Sequence, residues 1–328
     1  MHDPVDNERH DRHPHRKSAV GLTVTPNWRE LLAANGWRTL DDVFGLENDA
    51  SLSKPGLPRW RERLRVGLTD ESGREIAVYV KRFHGIPLSQ QIGRCRRAGP
   101  GRGTAWTEWY WLRELARAGI PAAEPIAYGA EMIGWWERRS AVVMKAVEGV
   151  SLERWCARHA GRRLPRAVAI RLAELVARFH ALGIAHRDLY LSHIFGADLD
   201  TAAPQLSIID LQRVLRTGLR RRRWLVKDLA ALNYSTPPPA ASLRDRVRWL
   251  RQYDHLCGVC GKGDSGEYTD AGTARDPDAA RAEARGSRAE RQRGKLARLQ
   301  RSDRVRIRWI VRKTEQMRRH DARRRRNA

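Results

Sequence analysis

The chain has 328 residues, of which 63 are lysine or arginine and 38 aspartate or glutamate, for a formal charge of +25. That length suits one large domain or two small ones with a sizeable core, and no run approaches the roughly 20 apolar residues of a spanning helix, so a membrane-spanning chain is not expected. The first twenty residues are charged and histidine-rich with no apolar stretch, so no secretory signal is expected, and four cysteines are too few for a disulfide framework, which points to a reducing cytosol.

Only 8 of the basic residues are lysine; 55 are arginine. Genomic base composition can produce that bias on a solvated surface. An anionic partner (nucleic acid, acidic lipid headgroups or a phosphorylated substrate) can produce it as well. Either way, a lysine in an apolar strand stands out.

Residues 1–20 read as a disordered polar arm. Short helical patterns at 27–32 and 40–44 lead to a loop, 51–60, in which Pro55 and Pro58 flank Gly56. Alternation over 61–68 and 75–83, with Thr69-Asp70-Glu71-Ser72-Gly73 between, predicts a β-hairpin. The basic, glycine-rich stretch 89–104 reads as a mobile loop. Trp106, Trp109, Leu112 and Leu115 recur at three-residue spacing and predict a helix over 105–118, stopped by Gly119 and Pro121. A buried strand is expected at 138–147, centred on Ala141-Val142-Val143-Met144.

The clearest helix is 165–182, with Val168, Leu172, Leu175, Val176, Phe179 and Leu182 on one face and Gly183 as its C-terminal stop. Two short strands follow, around 194–195 and 206–209, then helices at 222–232 and 243–256. The second of these helices opens on the capping pattern Ser242-Leu243-Arg244-Asp245. From 257 to 294 the composition is glycine, alanine and charge, which reads as a flexible insertion or linker. Residues 295–328 read as a basic helix and tail, whose Ile307, Trp309 and Ile310 would suit either a solvated face or a membrane-surface helix. The expected class is α+β: a β-rich N-terminal lobe over 21–147 and a helical C-terminal lobe over 148–256.

The residues that carry chemistry come in a set order. Lys81 ends Ala77-Val78-Tyr79-Val80-Lys81, and Glu108 sits on the next helix. His186-Arg187-Asp188 follows the long helix, and Asp210 ends an apolar strand 22 residues beyond Asp188. Phosphoryl transfer needs these types: a lysine for nucleotide phosphates, a carboxylate to hold it, a second carboxylate for the attacking hydroxyl, a third for Mg²⁺. The order Lys, Glu, His-Arg-Asp, Asp is that of the protein-kinase signature set.

The segments HRDLYLSHIF, IIDLQRV and KDLAALNYS make the resemblance specific. Together they resemble the lipopolysaccharide core heptose kinase family, the Kdo/WaaP-like branch of the protein-kinase-like superfamily, over about 28–256 and again near 305–320. The matching positions are His186, Arg187, Asp188, Tyr190, His193, Asp210, Leu211 and Lys227-Asp228-Leu229. The resemblance implies a two-lobed kinase-like fold and transfer of the γ-phosphoryl group of ATP to a heptose or Kdo hydroxyl. It implies Asp188, with Arg187 and His186, as the catalytic group. It implies ATP at Lys81, Glu108, Met144 and Ala146, with Glu108 holding Lys81, and Mg²⁺ at Asp210 and His193. The acceptor would be an anionic glycolipid, the lipopolysaccharide core, at the inner face of the cytoplasmic membrane, and no specific nucleic acid is expected.

Three features depart from protein kinases. No G-x-G-x-x-G covers the phosphates, and Gly56 is the one glycine candidate for close approach. No A-P-E follows Asp210, and little room remains before the helix at 222, which favours a small or glycan acceptor over a peptide. His193 offers nitrogen where Mg²⁺ prefers oxygen, so it either ligates metal or hydrogen-bonds Asp188 or Asp210. Tyr190 suits core or substrate wall. Cys257 and Cys260 have half a zinc-site spacing without a second pair, which favours plain thiols. The rival functions are a protein Ser/Thr or Tyr kinase on the same fold, and a non-catalytic anion-binding adaptor.

Overall fold

A computed structural model describes residues 20–47, 58–260 and 305–323 of the chain. The polar arm through residue 19, the loop carrying Gly56, the stretch from 261 to 304 and the terminal arginines lie outside the described residues. The chain divides into two compact units. One lies within Met1–Ile76, Val80–Ala105 and Ala127–Val143, the other within Ala77–Tyr79, Trp106–Ile126 and Met144–Ala328.

The first unit is built around a five-stranded sheet. It opens with β1 (Thr23–Val24), a 3-10 turn at Pro26–Trp28, α1 (Arg29–Ala34) and α2 (Leu40–Gly45). Thr39 caps α2 in a reciprocal box with Asp42, whose carboxyl is held below its usual range by the backbone N–H groups of Arg38 and Thr39. Then come β2 (Arg61–Thr69) and β3 (Glu75–His84), the hairpin the alternation predicts. Asp70 closes its turn by accepting from the N–H of Ser72 and of Arg74, both at 2.9 Å, while Gly73 takes φ 81°.

The stretch expected as a mobile loop is instead largely helix, α3 (Leu88–Ala98). Its inward face is polar, which is why hydrophobic periodicity does not reveal it. Gln91 donates to the Glu137 carbonyl at 2.8 Å and accepts from the Glu137 N–H at 3.2 Å. Arg94, 2% exposed, pairs with the fully buried Glu137 carboxylate at 3.3 Å. Glu137 also accepts from the Thr104 N–H at 2.8 Å and its hydroxyl at 2.7 Å.

Then follow α4 (Trp106–Arg117), which belongs to the second unit, and the strands β4 (Pro125–Ile133) and β5 (Trp136–Lys145). The sheet order is β1-β4-β5-β3-β2.

The second unit continues with β6 (Val150–Ser151), α5 (Leu152–Arg158), α6 (Arg166–Ala181), β7 (Ile184–Ala185), β8 (Ile194–Ala197), β9 (Gln205–Ile208) and β10 (Leu215–Arg216). Helices α7 (Arg221–Ser235) and α8 (Leu243–Cys260) follow, α8 running four residues past the expected 256. A last helix, α9, covers 305–323. Gly183, at φ 72°, ends α6 where the sequence places the stop. Ser242 and Asp245 form the expected cap of α8, hydroxyl to carboxylate at 2.6 Å. Helices α6, α7, α8 and α9 line an apolar cavity of about 400 Å³ that includes Ile170, Leu191, Leu229, Leu250 and Ile310.

Candidate active site

Two small antiparallel pairings bring the chemical residues of the second unit together. β7 pairs with β10 in the register Ala185↔Leu215, so the His186-Arg187-Asp188 turn emerges beside residues 211–213. β8 pairs with β9 in the register Ile194↔Ile208, so His193 and Asp210 lie at the same end of a hairpin, and the Ile209 N–H donates to the His193 carbonyl at 3.0 Å.

The turn itself is strained and held from below. Arg187 has φ 72°, a left-handed conformation that costs a non-glycine residue about 1–3 kcal/mol. The buried Asp228 on α7 fixes it: Oδ2 accepts from the His186 N–H at 2.6 Å and Oδ1 from the Arg187 N–H at 2.7 Å. His180 joins Asp228 at 3.2 Å and the Tyr253 hydroxyl at 2.8 Å. This explains the Lys-Asp-Leu segment: its aspartate anchors the His186-Arg187-Asp188 turn.

His186 is fully buried. Its Nε2 lies 3.0 Å from the Ile209 carbonyl, which can only accept, so Nε2 carries the proton and Nδ1 faces the interior without a partner. Burial holds the ring's pKa below its ordinary 6.5, which favours the neutral imidazole.

Asp188 presents its carboxylate at the surface of the turn, 20% exposed. Arg213 Nη1 lies 2.9 Å from both of its oxygens. The Asp188 carbonyl accepts from the Tyr190 N–H at 2.9 Å and from His193 Nδ1 at 2.7 Å. That last bond fixes the tautomer of His193. With its proton on Nδ1, Nε2 faces Asp210 Oδ2, 3.7 Å away. Asp210 sits at φ 61° at the head of the 3-10 turn Leu211–Arg213.

Two ligands about 2.1 Å from one octahedral Mg²⁺ lie roughly 3 to 4 Å apart, so the His193–Asp210 pair fits such an ion. Among the described residues no group of three or more His, Cys, Asp or Glu could hold a metal. A two-donor site matches the habit of Mg²⁺, which takes few protein ligands and completes its shell with phosphates and water.

Lys81 lies on β3 of the first unit and is 8% exposed. Glu108, on α4 of the second unit, is fully buried and accepts from Gln212 Nε2 at 3.1 Å. Met144 is buried at the end of β5, and the Ala146 N–H donates to the Ala77 carbonyl at 2.9 Å. Sequence reading did not find Arg213 as the partner of Asp188, nor Gln212 as that of Glu108; both contacts cross long stretches of chain and carry no periodic signal. Tyr190 makes edge contacts with His193 and Tyr234, and burial raises its pKa.

A solved structure titled "WaaP in complex with acyl carrier protein" superposes with a TM-score of 0.58, covering 90% of this chain and 98% of that one at 24% identity. The fold is thus α+β and of the kinase-like type that the signature order implies. The model of the lipopolysaccharide kinase (Kdo/WaaP) family matches residues 59–253, and the chain belongs to that family.

Lipopolysaccharide core heptose(I) kinase WaaP of Pseudomonas aeruginosa is 34% identical over 154 residues, 44% of this chain and 58% of that protein. The same enzyme of Escherichia coli is 30% identical over 156 residues, with the same coverage. The 3-deoxy-D-manno-octulosonic acid kinase of Xanthomonas campestris pv. campestris is 33% identical over 201 residues, 57% of this chain and 74% of that protein. The match therefore spans 58% of the length of the heptose(I) kinases.

Proposed function

We propose that the chain is an ATP-dependent kinase that phosphorylates a sugar hydroxyl, of a heptose or of 3-deoxy-D-manno-octulosonic acid, in the lipopolysaccharide inner core. The observation that carries this reading is the Asp188–His193–Asp210 arrangement, in which the β7–β10 and β8–β9 pairings bring a part-exposed carboxylate next to two candidate metal donors. Family membership supports the acceptor class, since relatives of both named kinds match.

Asp188 orients the acceptor hydroxyl and takes its proton as the oxygen attacks the γ-phosphorus, while ADP leaves. For this the Arg213 contact opens or shifts, which an exposed ion pair permits at small cost. Asp210 and His193 hold Mg²⁺, which neutralises charge on the phosphates when bound. Lys81 is assigned to the phosphates, Glu108 to positioning, and Met144 with Ala146 to the wall of the nucleotide site. Arg187 and His186 shape the turn.

The charge of +25 supports an anionic glycolipid at the inner membrane face; no helix among the described residues is long and apolar enough to cross a membrane. Acyl carrier protein, bound by the structural relative, is a candidate partner here as well.

Radiolabelled ATP with dephosphorylated core glycolipid tests the reading. Label should enter the glycolipid, and Asp188→Ala should reduce transfer by about 100-fold or more. His193→Ala should raise the Mg²⁺ concentration needed for half-maximal rate, and His193→Asn should raise it less. Label on protein acceptors alone, or full transfer by Asp188→Ala, would overturn the assignment.

A further inference from the structure

One cavity in the second unit is left unused by the chemistry described above. It lies between α7 and α9, has a volume of about 560 Å³, and does not include Asp210 or His193. Five of its lining residues are cationic: Arg187, Arg223, Lys227, Arg312 and Lys313. Among the described residues no carboxylate lines it. Five like charges around one hollow repel each other, and an anion in the hollow offsets that repulsion.

The aromatic lining is equally selective. The guanidinium of Arg187 lies 5.2 Å from the Trp224 ring centre, and that of Arg223 lies 5.3 Å from it. Two of the cations thus lie over the Trp224 ring. From α9, Trp309 lines the same cavity and is 50% exposed. Indole faces suit the C–H face of a pyranose, as cations suit its oxyanion. The volume is within the roughly 300–1,000 Å³ of small-ligand sites.

The cavity also adjoins the chemistry. Arg187 immediately precedes Asp188, and Lys227 immediately precedes the anchor Asp228. Lys227 has its pKa lowered, first by burial, and it feels Asp188 as an opposing favourable charge and Arg213 and Arg187 as repelling ones.

We propose that this cavity binds an anionic sugar, a saccharide carrying a phosphate or a carboxylate, and that it holds the acceptor for phosphorylation beside Asp188. The second half rests on the kinase reading above; the first stands on the cavity itself. The acceptor is then already negatively charged before transfer, and the group recognised is distinct from the hydroxyl that reacts.

Calorimetry on the full chain at low salt, with mannose 6-phosphate, galacturonate and mannose as probes, tests the site. The charged sugars should bind and mannose should not; the tighter of the two names the oxyanion. Arg312→Ala with Lys313→Ala, both outside the catalytic turn and on the surface of α9, should weaken binding by about tenfold, some 1.4 kcal/mol. In the transfer assay the same double variant should raise KM for the glycolipid while leaving KM for ATP unchanged. Binding by wild type without transfer to any core sugar supports the site and sinks the kinase reading. Transfer with an unchanged glycolipid KM in the variant sinks the site and leaves the kinase reading intact. Failure of both charged sugars to bind, or equal binding by variant and wild type, also overturns the proposal.

Discussion

His186 shows how a motif residue can act through burial. Its ring is sealed among Phe179, His193 and the Ile209 carbonyl, and it resists protonation below its ordinary 6.5. In the unfolded chain the same ring takes up a proton as the pH falls through that value. The unfolded state then binds more protons than the folded one, so stability is lost as the pH drops below about 6.5, until the folded ring itself titrates. The slope from this one group reaches at most about 1.4 kcal/mol per pH unit. Urea unfolding at pH 7.5, 6.5 and 5.5 should therefore show a steeper acid loss for the wild type than for His186→Gln. Parallel slopes would mean that the folded ring takes up its proton no less readily than the unfolded one. The site's residue types were legible because their order is dictated by chemistry: His186, Asp188, His193 and Asp210 occupy fixed offsets in two short segments. Arg213 was not legible, because its tie to Asp188 depends on the register of β7 with β10, and a two-residue pairing leaves no trace in hydrophobic pattern.

At the scale of elements, what the sequence reveals depends on what covers each one. Helix α6 buries Val168, Leu172, Leu175, Val176 and Phe179, so its period is plain. The β2–β3 hairpin is marked by its turn residues. Helix α3 buries Gln91 and Arg94 against Glu137 instead, so a polar, glycine-rich stretch conceals a packed helix. Strand β4 lacks a clear pattern because Gly129 interrupts it. A Cβ there would come within 2.8 Å of Leu22 Cδ2 and 3.0 Å of Leu40 Cδ1, so the glycine serves the close packing of the N-terminal segment. The α3 network makes a sharp prediction. Glu137→Gln leaves Arg94 as a buried charge without its counter-ion, which should cost about 3–5 kcal/mol. The paired replacement Arg94→Met with Glu137→Met removes both charges and should cost less than either single change. A double variant as unstable as the sum of the singles, by urea unfolding, would show that the pair does not act as a unit.

At the scale of the whole molecule, the C-terminal helix belongs to the second unit despite its distance along the chain. α9 buries Ile310 and Thr314. Asn233 donates to the Thr314 hydroxyl at 3.1 Å, the Tyr234 hydroxyl bonds Asp321, and Arg306 pairs with Asp254 on α8. Burial of one isoleucine alone is worth about 1.5–3 kcal/mol, and each hydrogen bond adds about 1. Ending the chain before residue 305 should therefore lower stability by several kcal/mol and open the apolar cavity that Ile310 helps to line. Removing 261–293 should do neither. The Arg306–Asp254 contact fixes where α9 begins relative to α8, and Asp254 lies six residues, about 9 Å of helix, before Cys260. The 11 residues left, 294–304, reach roughly 36 Å when extended, ample for that return. Thermal unfolding of the two deletions decides the matter. If the internal deletion falls as far as the truncation, residues 261–293 contribute contacts of their own. If the truncation melts with the full chain, α9 adds nothing to the second unit.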